Sequence, residues 1–269
     1  MRYLTEKDVK LKLRQKTSHK GENGRVLIIG GSIDYVGCVM LAAMAAYRSG
    51  ADWVQIAAPE KVAWAINCIS PDIITTKFKG DYFASSSVKK LIRMSDHFDT
   101  ILIGNGIGEK MKTRKFAASL CTGIKRLKVI DADAIAAVNL SRISNAIITP
   151  HKGELNQLLK TNGISKQQLR KKLGNNVILL KGRIDEIISR EKVAFNKTGN
   201  EGMTVAGTGD VLAGLAAGLL AQGKNPFKAS CAAAYANGRA GDMLLKEKGY
   251  GFLASELIET LPRALREIR

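Results

Sequence analysis

Short runs of consecutive apolar residues recur along the chain and alternate with longer stretches of helical pattern. The apolar runs cover residues 25–29, 53–57, 100–103, 127–130, 146–148 and 177–180. Unbroken apolar strands are typical of parallel sheets covered by helices on both faces, because neither face of such a strand meets water. The sequence therefore predicts an α/β fold of three layers, α/β/α, with helices on both faces of a mostly parallel central sheet.

A hairpin and four helices complete the predicted fold. Residues 186–189 and 193–196 are close enough in sequence to form the hairpin, so we expect the sheet to be mixed at one edge. Gly214 and Gly218 indicate that their helix packs closely against a neighbour. With 269 residues, 45% of them hydrophobic, the chain suits one large domain over residues 1–269, or at most two small ones. The helices are predicted over residues 36–49, 211–221, about 226–246 and about 254–266.

The net charge of +18 is the strongest compositional signal. Binding to nucleic acid or to an acidic surface would explain it, and so would an anionic substrate or a generally basic proteome. The basic residues are dispersed, aromatic residues make up only 6% of the chain, and no helix-turn-helix, RNA-binding or zinc pattern is present. We therefore expect no specific nucleic-acid partner.

The cysteines and the first residues of the chain indicate where in the cell the protein acts. The start lacks the apolar core of a signal peptide, and no apolar run is long enough to span a bilayer, so we expect no membrane association. The four cysteines are widely spaced and form no C-x-x-C pattern, which indicates buried, reduced thiols in a cytoplasmic protein. They are Cys38, Cys68, Cys121 and Cys231.

Polar and glycine residues fall repeatedly where a predicted strand ends. In open α/β sheets, ligands bind outside the carboxyl ends of the strands. The sequence therefore predicts one crevice lined by several of these segments. They are residues 30–32, residues 104–108, Asp131, His151, Lys181 and Asp210.

The richest of these segments is residues 200–214, where glycine and threonine surround Asp210. If a helix begins near Thr208, backbone N–H groups at Gly207 and Gly209 can hold a phosphate, with Asp210 beside it as a base. The alternative is a plain helix start, with Thr208 as N-cap and Asp210 complementing the helix dipole. The convergence of the other strand ends favours the first interpretation, which is phosphoryl-transfer chemistry.

Several segments, in their number, order and spacing, resemble the ADP- or ATP-dependent NAD(P)H-hydrate dehydratases, a branch of the ribokinase-like superfamily. The resemblance covers nearly the whole chain and implies a ribokinase-like fold. It also implies dehydration of the S epimer of hydrated NADH or NADPH (NADHX or NADPHX), coupled to conversion of ADP, or of ATP, with Mg²⁺. With ADP the products would be AMP, phosphate and NAD(P)H. The matching segments are residues 19–24, 30–32, 35–38, 104–108, 131–134, 149–154, 180–182 and 198–214.

The resemblance assigns roles residue by residue. Asp210 is implied to be the base or hydrogen-bond acceptor for the substrate hydroxyl. Backbone N–H groups are implied to stabilise the transferred phosphoryl at Gly207, Thr208 and Gly209. Substrate contacts are implied, besides Asp210, for Cys38, Gly106, Gly108 and His151. Nucleotide contacts are implied for Lys181, Gly182, Arg183, Ile184, Asp185 and Gly209.

Glu154 is implied to organise Mg²⁺ through water, although it also suits the N-terminus of a helix as a dipole partner. No cluster of metal ligands is readable in the sequence. The chain departs from the family pattern at three positions. Asn105 stands where the family often has Pro, Cys38 where it usually has Ala, and Asp185 where it commonly has Thr. Asparagine tolerates turn geometry and Cys38 is a small apolar substitute, but the role of Asp185 stays open.

Four residues of these segments also suit structural roles. His151 suits a structural residue after a strand, and Lys181 suits a solvated strand end. Asp131 and Asp133 are predicted to cap the following helix rather than to act in catalysis.

Two other functions compete with the dehydratase. A ribokinase-like small-molecule kinase, acting on a hydroxymethylpyrimidine or hydroxyethylthiazole alcohol, would share the Asp210 base and the phosphate cradle. A basic nucleic-acid-binding protein without enzymatic activity is the alternative from another class. The residues around His151 and those before residue 24 favour the dehydratase.

The resemblance also implies an assembly and a domain boundary. Many relatives carry an N-terminal epimerase domain, and because this sequence begins shortly before the dehydratase match we expect none here. Relatives often form tetramers, which implies a homo-oligomer.

Overall fold

The computed structural model describes residues 2–12 and 14–269. In these residues nine strands form one sheet, in the order β3-β2-β1-β4-β5-β6-β7-β8-β9. The strands are β1 (Arg25–Ile29), β2 (Trp53–Pro59), β3 (Ile74–Phe78), β4 (Thr100–Ile103), β5 (Leu127–Ile130), β6 (Ala146–Ile148), β7 (Val177–Leu180), β8 (Asp185–Ile188) and β9 (Val193–Asn196). The α-helices are α1 (Glu6–Val9), α2 (Gly37–Arg48), α3 (Glu60–Ile69), α4 (Val88–Ser95), α5 (Met111–Gly123), α6 (Lys152–Asn162), α7 (Lys166–Lys172), α8 (Thr208–Ala221), α9 (Pro226–Lys248) and α10 (Ala254–Glu267).

Strands β1 to β7 are parallel to one another, whereas β8 pairs antiparallel with both β7 and β9. The predicted parallel sheet with a mixed edge is therefore confirmed. All six predicted central strands form, and β2 continues to Pro59, two residues beyond the predicted end. The edge strand β3 was not predicted, because its residues are mostly half-buried and give no continuous apolar run.

Helices cover both faces of the sheet, as the unbroken apolar strands predict. Along β1, Val26 and Ile28 belong to one apolar cluster, and Leu27 and Ile29 belong to the other. The first cluster packs α2, α3, α8, α9 and α10 against the sheet, and the second packs α4, α5, α6 and α7. The three-layer prediction is confirmed. No helix among the described residues combines the length and the apolar character that a membrane span requires.

The four cysteines are unpaired. Cys121 and Cys231 are buried and Cys38 is half-buried, in keeping with the prediction of reduced, enclosed thiols. Cys68 lies on α3 and is exposed, so the prediction of burial is wrong for this residue.

Helices α2 and α8 touch backbone to backbone. A Cβ atom built on Gly214 would lie 2.0 Å from the carbonyl oxygen of Ala42, and one built on Gly218 would lie 2.1 Å from Ser49 Oγ. The two glycines therefore serve close helix packing, as their spacing predicts. This contact fixes the position of the amino end of α8 relative to the sheet.

Replacing Gly214 with alanine is expected to destabilise the protein, because the added methyl group must push α8 away from α2. Overpacking of this kind costs about 1–3 kcal/mol, so thermal unfolding should show Tm lowered by several degrees. Gly251→Ala is the matched control, since a Cβ atom there meets nothing within 4 Å. An unchanged Tm in Gly214→Ala would contradict the close contact between α2 and α8.

Candidate active site

The amino end of α8 lies beside the turn after β4, and its chemistry suits an anion. Helix α8 begins at Thr208, and its N-cap is Gly207, whose φ of 94° lies in the left-handed region that favours glycine. A Cβ atom on Gly207 would also lie 2.6 Å from Leu41 Cδ1. The N–H groups of the first turn have no acceptor within the helix and lie at its positive end, which favours a phosphate there.

Thr208 does not cap this helix, so the simple helix-start interpretation is wrong on that point. Its hydroxyl donates to the carbonyl of Met203 at 2.8 Å and contacts the carbonyl of Val205 at 3.1 Å. The side chain therefore ties the start of α8 to the preceding turn and leaves the backbone N–H groups free for a ligand.

Asp210 lies in the first turn of α8, and its Oδ1 accepts a hydrogen bond of 2.6 Å from Asn105 Nδ2. Burial raises the pKa of the Asp210 carboxyl to about 6. The Asn105 hydrogen bond and the charge of Lys181 oppose this rise, while the carboxylates of Asp131 and Asp133 add to it. A carboxyl with a pKa near neutrality is suited to accepting a proton and releasing it again.

Asp131 follows β5 and is 2% exposed. Its Oδ2 accepts from Asn105 Nδ2 at 2.9 Å, and its Oδ1 accepts from Thr149 Oγ1 at 2.7 Å and from Lys181 Nζ at 3.0 Å. It occupies the N-cap position of a 3-10 turn without making a capping bond. The prediction that Asp131 caps the following helix is therefore wrong.

Asp133 also differs from its predicted role. Its Oδ2 accepts a hydrogen bond of 2.8 Å from the backbone N–H of Gly108. The carboxylate therefore holds the glycine-rich turn after β4 instead of capping its own turn. Burial raises the pKa of Asp133.

Lys181 follows β7 and is not a solvated strand end, because its side chain is only 21% exposed. Besides its bond to Asp131, its Nζ lies 3.7 Å from Glu154 Oε2. Burial acts to lower the pKa of Lys181, but these two carboxylates outweigh it and the pKa is raised. A Cβ atom on Gly209 would lie 3.5 Å from Lys181 Nζ, so this cation faces the start of α8.

His151 is the N-cap of α6. Its Nδ1 accepts from the N–H groups of Gly153 at 2.9 Å and Glu154 at 3.3 Å, and Glu154 Oε2 accepts from the N–H of His151 at 2.7 Å. This reciprocal capping box gives His151 a structural role. Because Nδ1 is an acceptor, the neutral ring carries its proton on Nε2, which lies 3.7 Å from Glu154 Oε1 and can donate to a ligand.

A cleft of about 1150 Å³ brings together the residues predicted to bind nucleotide. Its walls also include His151, Thr208 and parts of residues 197–204. Sequence reasoning missed the wall formed by α9, where Ala234, Asn237 and Gly238 carry only a helical pattern with no binding signal. The predicted residues in the cleft are Lys181, Gly182, Arg183, Ile184, Asp185 and Gly209.

Asp185, which stands where the family commonly has Thr, closes the turn after β7. Its Oδ1 accepts from the N–H of Gly182 at 3.1 Å, and its Oδ2 accepts from Asn196 Nδ2 at 3.0 Å. Burial raises the pKa of Asp185 to about 6. The carboxyl group is thus engaged with the loop and with β9.

Of the residues predicted to bind the second substrate, Cys38, Gly106 and Gly108 lie at the turn after β4, whereas His151 lines the nucleotide cleft. A Cβ atom on Gly106 would lie 2.4 Å from Cys38 Sγ, so the turn after β4 rests on the start of α2. Gly108 lies in the same turn, with a φ of 87°. Burial and the nearby Asp210 charge raise the pKa of the Cys38 thiol to about 12, so Cys38 stays neutral and is not a nucleophile. The two halves of the site meet at Asp210.

Comparison with known proteins decides the family. The family model described as NAD(P)H-hydrate dehydratase matches residues 26–263. The chain belongs to the NAD(P)H-hydrate dehydratase family. The resemblance found in the sequence is therefore confirmed.

Two curated relatives illustrate the range of this family. The chain is 34% identical to the ADP-dependent (S)-NAD(P)H-hydrate dehydratase of Cenarchaeum symbiosum, over 98% of this chain and 97% of that protein. It is 38% identical to the bifunctional NAD(P)H-hydrate repair enzyme Nnr of Methanothermobacter thermautotrophicus, over 94% of this chain and 51% of that protein. The chain thus spans about half the length of the bifunctional relatives it matches.

Solved structures agree with this family and with the ribokinase-like fold. The ADP/ATP-dependent NAD(P)H-hydrate dehydratase of Bacillus subtilis, co-crystallised with ATP/Mg²⁺, superposes with a TM-score of 0.83. It is 26% identical, covering 100% of this chain and 99% of that chain. The ribokinase of Thermotoga maritima superposes with a TM-score of 0.62 at 14% identity, covering 90% of this chain and 99% of that chain, which shows the shared fold alone.

Proposed function

We propose that this protein dehydrates the S epimer of NADHX or NADPHX and restores NAD(P)H, while ADP is converted to AMP and phosphate. The observation that carries the proposal is the position of Asp210, at the amino end of α8 between the nucleotide cleft and the turn after β4. Family membership supports the same reaction, as does the relative named for ADP and the S epimer. ATP is the alternative co-substrate, since the B. subtilis relative was co-crystallised with it.

The geometry supports phosphorylation of the substrate hydroxyl as the first step. The N–H groups of Thr208 and Gly209 and the ammonium group of Lys181 surround the place of the transferred phosphoryl group. Oδ2 of Asp210 makes no hydrogen bond to the described residues, whereas Oδ1 is held by Asn105. Oδ2 accepts the hydroxyl proton as the hydroxyl oxygen attacks the terminal phosphorus of ADP, and AMP leaves.

The second step breaks the bond between carbon and the phosphorylated oxygen. The lone pair of the ring nitrogen expels phosphate, which carries away the oxygen of the former hydroxyl and leaves an iminium ion. Loss of a proton from the adjacent ring carbon to the departing phosphate then restores the reduced nicotinamide ring. Phosphate is a far better leaving group than hydroxide, which accounts for the consumption of a nucleotide. His151 Nε2–H and the small wall formed by Cys38, Gly106 and Gly108 position the dinucleotide substrate.

The site offers few free carboxylate oxygens to a Mg²⁺ ion, so the ion would arrive with the nucleotide. Among the described residues, no group of three His, Cys, Asp or Glu side chains could hold a metal ion. Both oxygens of Asp131 are already bonded, and Glu154 lies beside Lys181. Mg²⁺ commonly takes one or two carboxylates and completes its shell with phosphate oxygens and water. We propose that Glu154 contacts it through water, and the ion would neutralise phosphate charge.

The deciding experiment mixes the protein with S-epimer NADHX, ADP and Mg²⁺. Recovery of the absorbance of NADH, with AMP and phosphate released in equal amounts, is the expected result. A ribokinase-like kinase would instead phosphorylate a hydroxymethylpyrimidine or hydroxyethylthiazole alcohol and leave NADHX unchanged, which would refute the proposal.

The assembly and the location of the protein are separate predictions. Size-exclusion chromatography tests the prediction of a tetramer, and the cytoplasmic location stays a prediction.

Turnover is expected to fall as the pH falls through about 6, because the pKa of Asp210 is raised to about 6 and only its ionised form accepts a proton. The check is kcat/KM for NADHX from mildly acidic to neutral pH, with circular dichroism confirming a folded protein throughout. The acidic limb should persist in Asp185→Asn, which removes the other carboxyl of the site whose pKa burial raises to about 6. A flat profile through this range would contradict the role of Asp210 as a base.

A further inference from the structure

Asn105 occupies an unusually constrained position between the two halves of the site. It is fully buried, directly after Gly104 and before Gly106, whose φ values of 126° and 68° are both positive. Its carbonyl oxygen accepts from the N–H of Gly31 at 2.8 Å. A Cβ atom on Gly104 would lie 2.0 Å from the carbonyl oxygen of Asp131, so this backbone has almost no freedom to move.

The side chain of Asn105 bridges two carboxylates. Its Nδ2 donates to Asp210 Oδ1 at 2.6 Å and to Asp131 Oδ2 at 2.9 Å, one hydrogen for each acceptor. The opposite orientation of the amide would place its oxygen against both carboxylates, and like partial charges exclude it. The Oδ1 of Asn105 is buried and has no hydrogen-bond partner in the described part of the chain.

That unpartnered oxygen argues against a purely structural role. Burying an amide oxygen without a partner costs free energy, and an apolar side chain would avoid this cost. We infer that the unpartnered oxygen is tolerated because the Nδ2 group of the same amide bonds to Asp210. Asp131 does not depend on Asn105 alone, because Thr149 and Lys181 also donate to it.

We propose that Asn105 is a positioning residue for the reaction: its amide holds Oδ1 of Asp210, so that Oδ2 faces the substrate hydroxyl, and it separates Asp210 from Asp131. The inference rests on the proposed role of Asp210 as the base. The charged groups around Asp210 are Asp131 and Asp133, which disfavour its ionised form, and Lys181, which favours it. Cys38 also faces Asp210 and is neutral.

The test compares wild type with Asn105→Ala by the pH dependence of kcat/KM for NADHX. A hydrogen bond to a carboxylate favours its ionised form, so removing it should move the acidic limb to higher pH by about one unit. Asn176→Ala is the matched control: Asn176 is also buried, but its amide bonds only backbone atoms around β6 and β7. It should lower stability and leave the acidic limb in place.

An acidic limb that stays in place in Asn105→Ala, with activity reduced equally at every pH, would overturn the proposal. If Asn105→Ala does not fold, Asn105→Ser replaces it, because serine is too short to bridge both carboxylates, and the same shift is expected. Titration of ¹³C-labelled aspartate by NMR, with Asp210 assigned from Asp210→Asn, needs no turnover. It therefore tests the effect of Asn105 on Asp210 even if wild type fails to act on NADHX, which would refute the proposed function alone.

Discussion

Asp210→Asn is expected to abolish turnover of NADHX while ADP still binds. Asparagine has nearly the same shape and keeps an oxygen that can accept from Asn105, but it cannot take the proton of the substrate hydroxyl. General-base catalysis contributes about 10²–10⁴ in rate, so kcat should fall by at least about a hundredfold. NADH recovery measures kcat, and calorimetric titration with ADP measures binding.

The control for this variant is Asp99→Asn. Asp99 Oδ2 accepts a hydrogen bond from the N–H of Arg25 at the start of β1, far along the sheet from the carboxyl ends of the strands. The Asp99→Asn variant should turn over NADHX at the wild-type rate. Normal turnover in Asp210→Asn would remove Asp210 from the mechanism, and loss of ADP binding would show instead that the substitution disrupts the cleft.

Lys181→Met is expected to weaken ADP binding and to destabilise the fold at once. Methionine fills similar space but offers no charge to the phosphates, and charge-assisted hydrogen bonds are worth about 1.5–3 kcal/mol, or about tenfold or more in Kd. The variant also leaves the buried Asp131 without its cation, which costs about 3 kcal/mol or more. Calorimetric titration gives Kd, and urea unfolding gives the change in stability.

A second substitution separates these two effects. In Lys181→Met/Asp131→Asn the buried negative charge is gone, and the Thr149 hydroxyl can turn to accept from the new amide. We expect the double variant to regain stability without regaining affinity for ADP. ADP binding at the wild-type level in either variant would show that Lys181 serves only the Asp131 pair.

The fold was largely predictable because its central strands are continuous apolar runs, which few structures other than a covered parallel sheet can bury. The edge strand β3 was not predicted because most of its residues are only half-buried, so it lacks such a run. The helices α4, α5 and α6 are less apolar than α2 and α8, and of these three only the start of α6, at Glu154, was anticipated. Helices α3 and α7 were not placed either. Their positions depend on packing against a sheet whose strand order the sequence does not display.

The residues of the site likewise divide into those that the local sequence indicates and those that it does not. Local chemistry was readable, so Asp210, Lys181 and the glycines around them were selected from the sequence, and the structure places Lys181 against the start of α8. The role of Asp131 was not, because its partners Asn105, Thr149 and Lys181 lie 26, 18 and 50 residues away along the chain. A capping role is the natural expectation for an aspartate after a strand, and only the assembled sheet edge reveals the network that replaces it.

The backbone contact between α2 and α8 has a consequence for how this protein can evolve. Since Gly214 faces the carbonyl of Ala42 with no room for a methyl group, neither helix can drift without the other. Asp210 lies one helical turn before Gly214. A substitution in the contact between α2 and α8 would therefore move the carboxylate of Asp210 as well as the core. Changes on α2 and α8 should therefore be inherited as compensating pairs, even where neither residue meets a ligand.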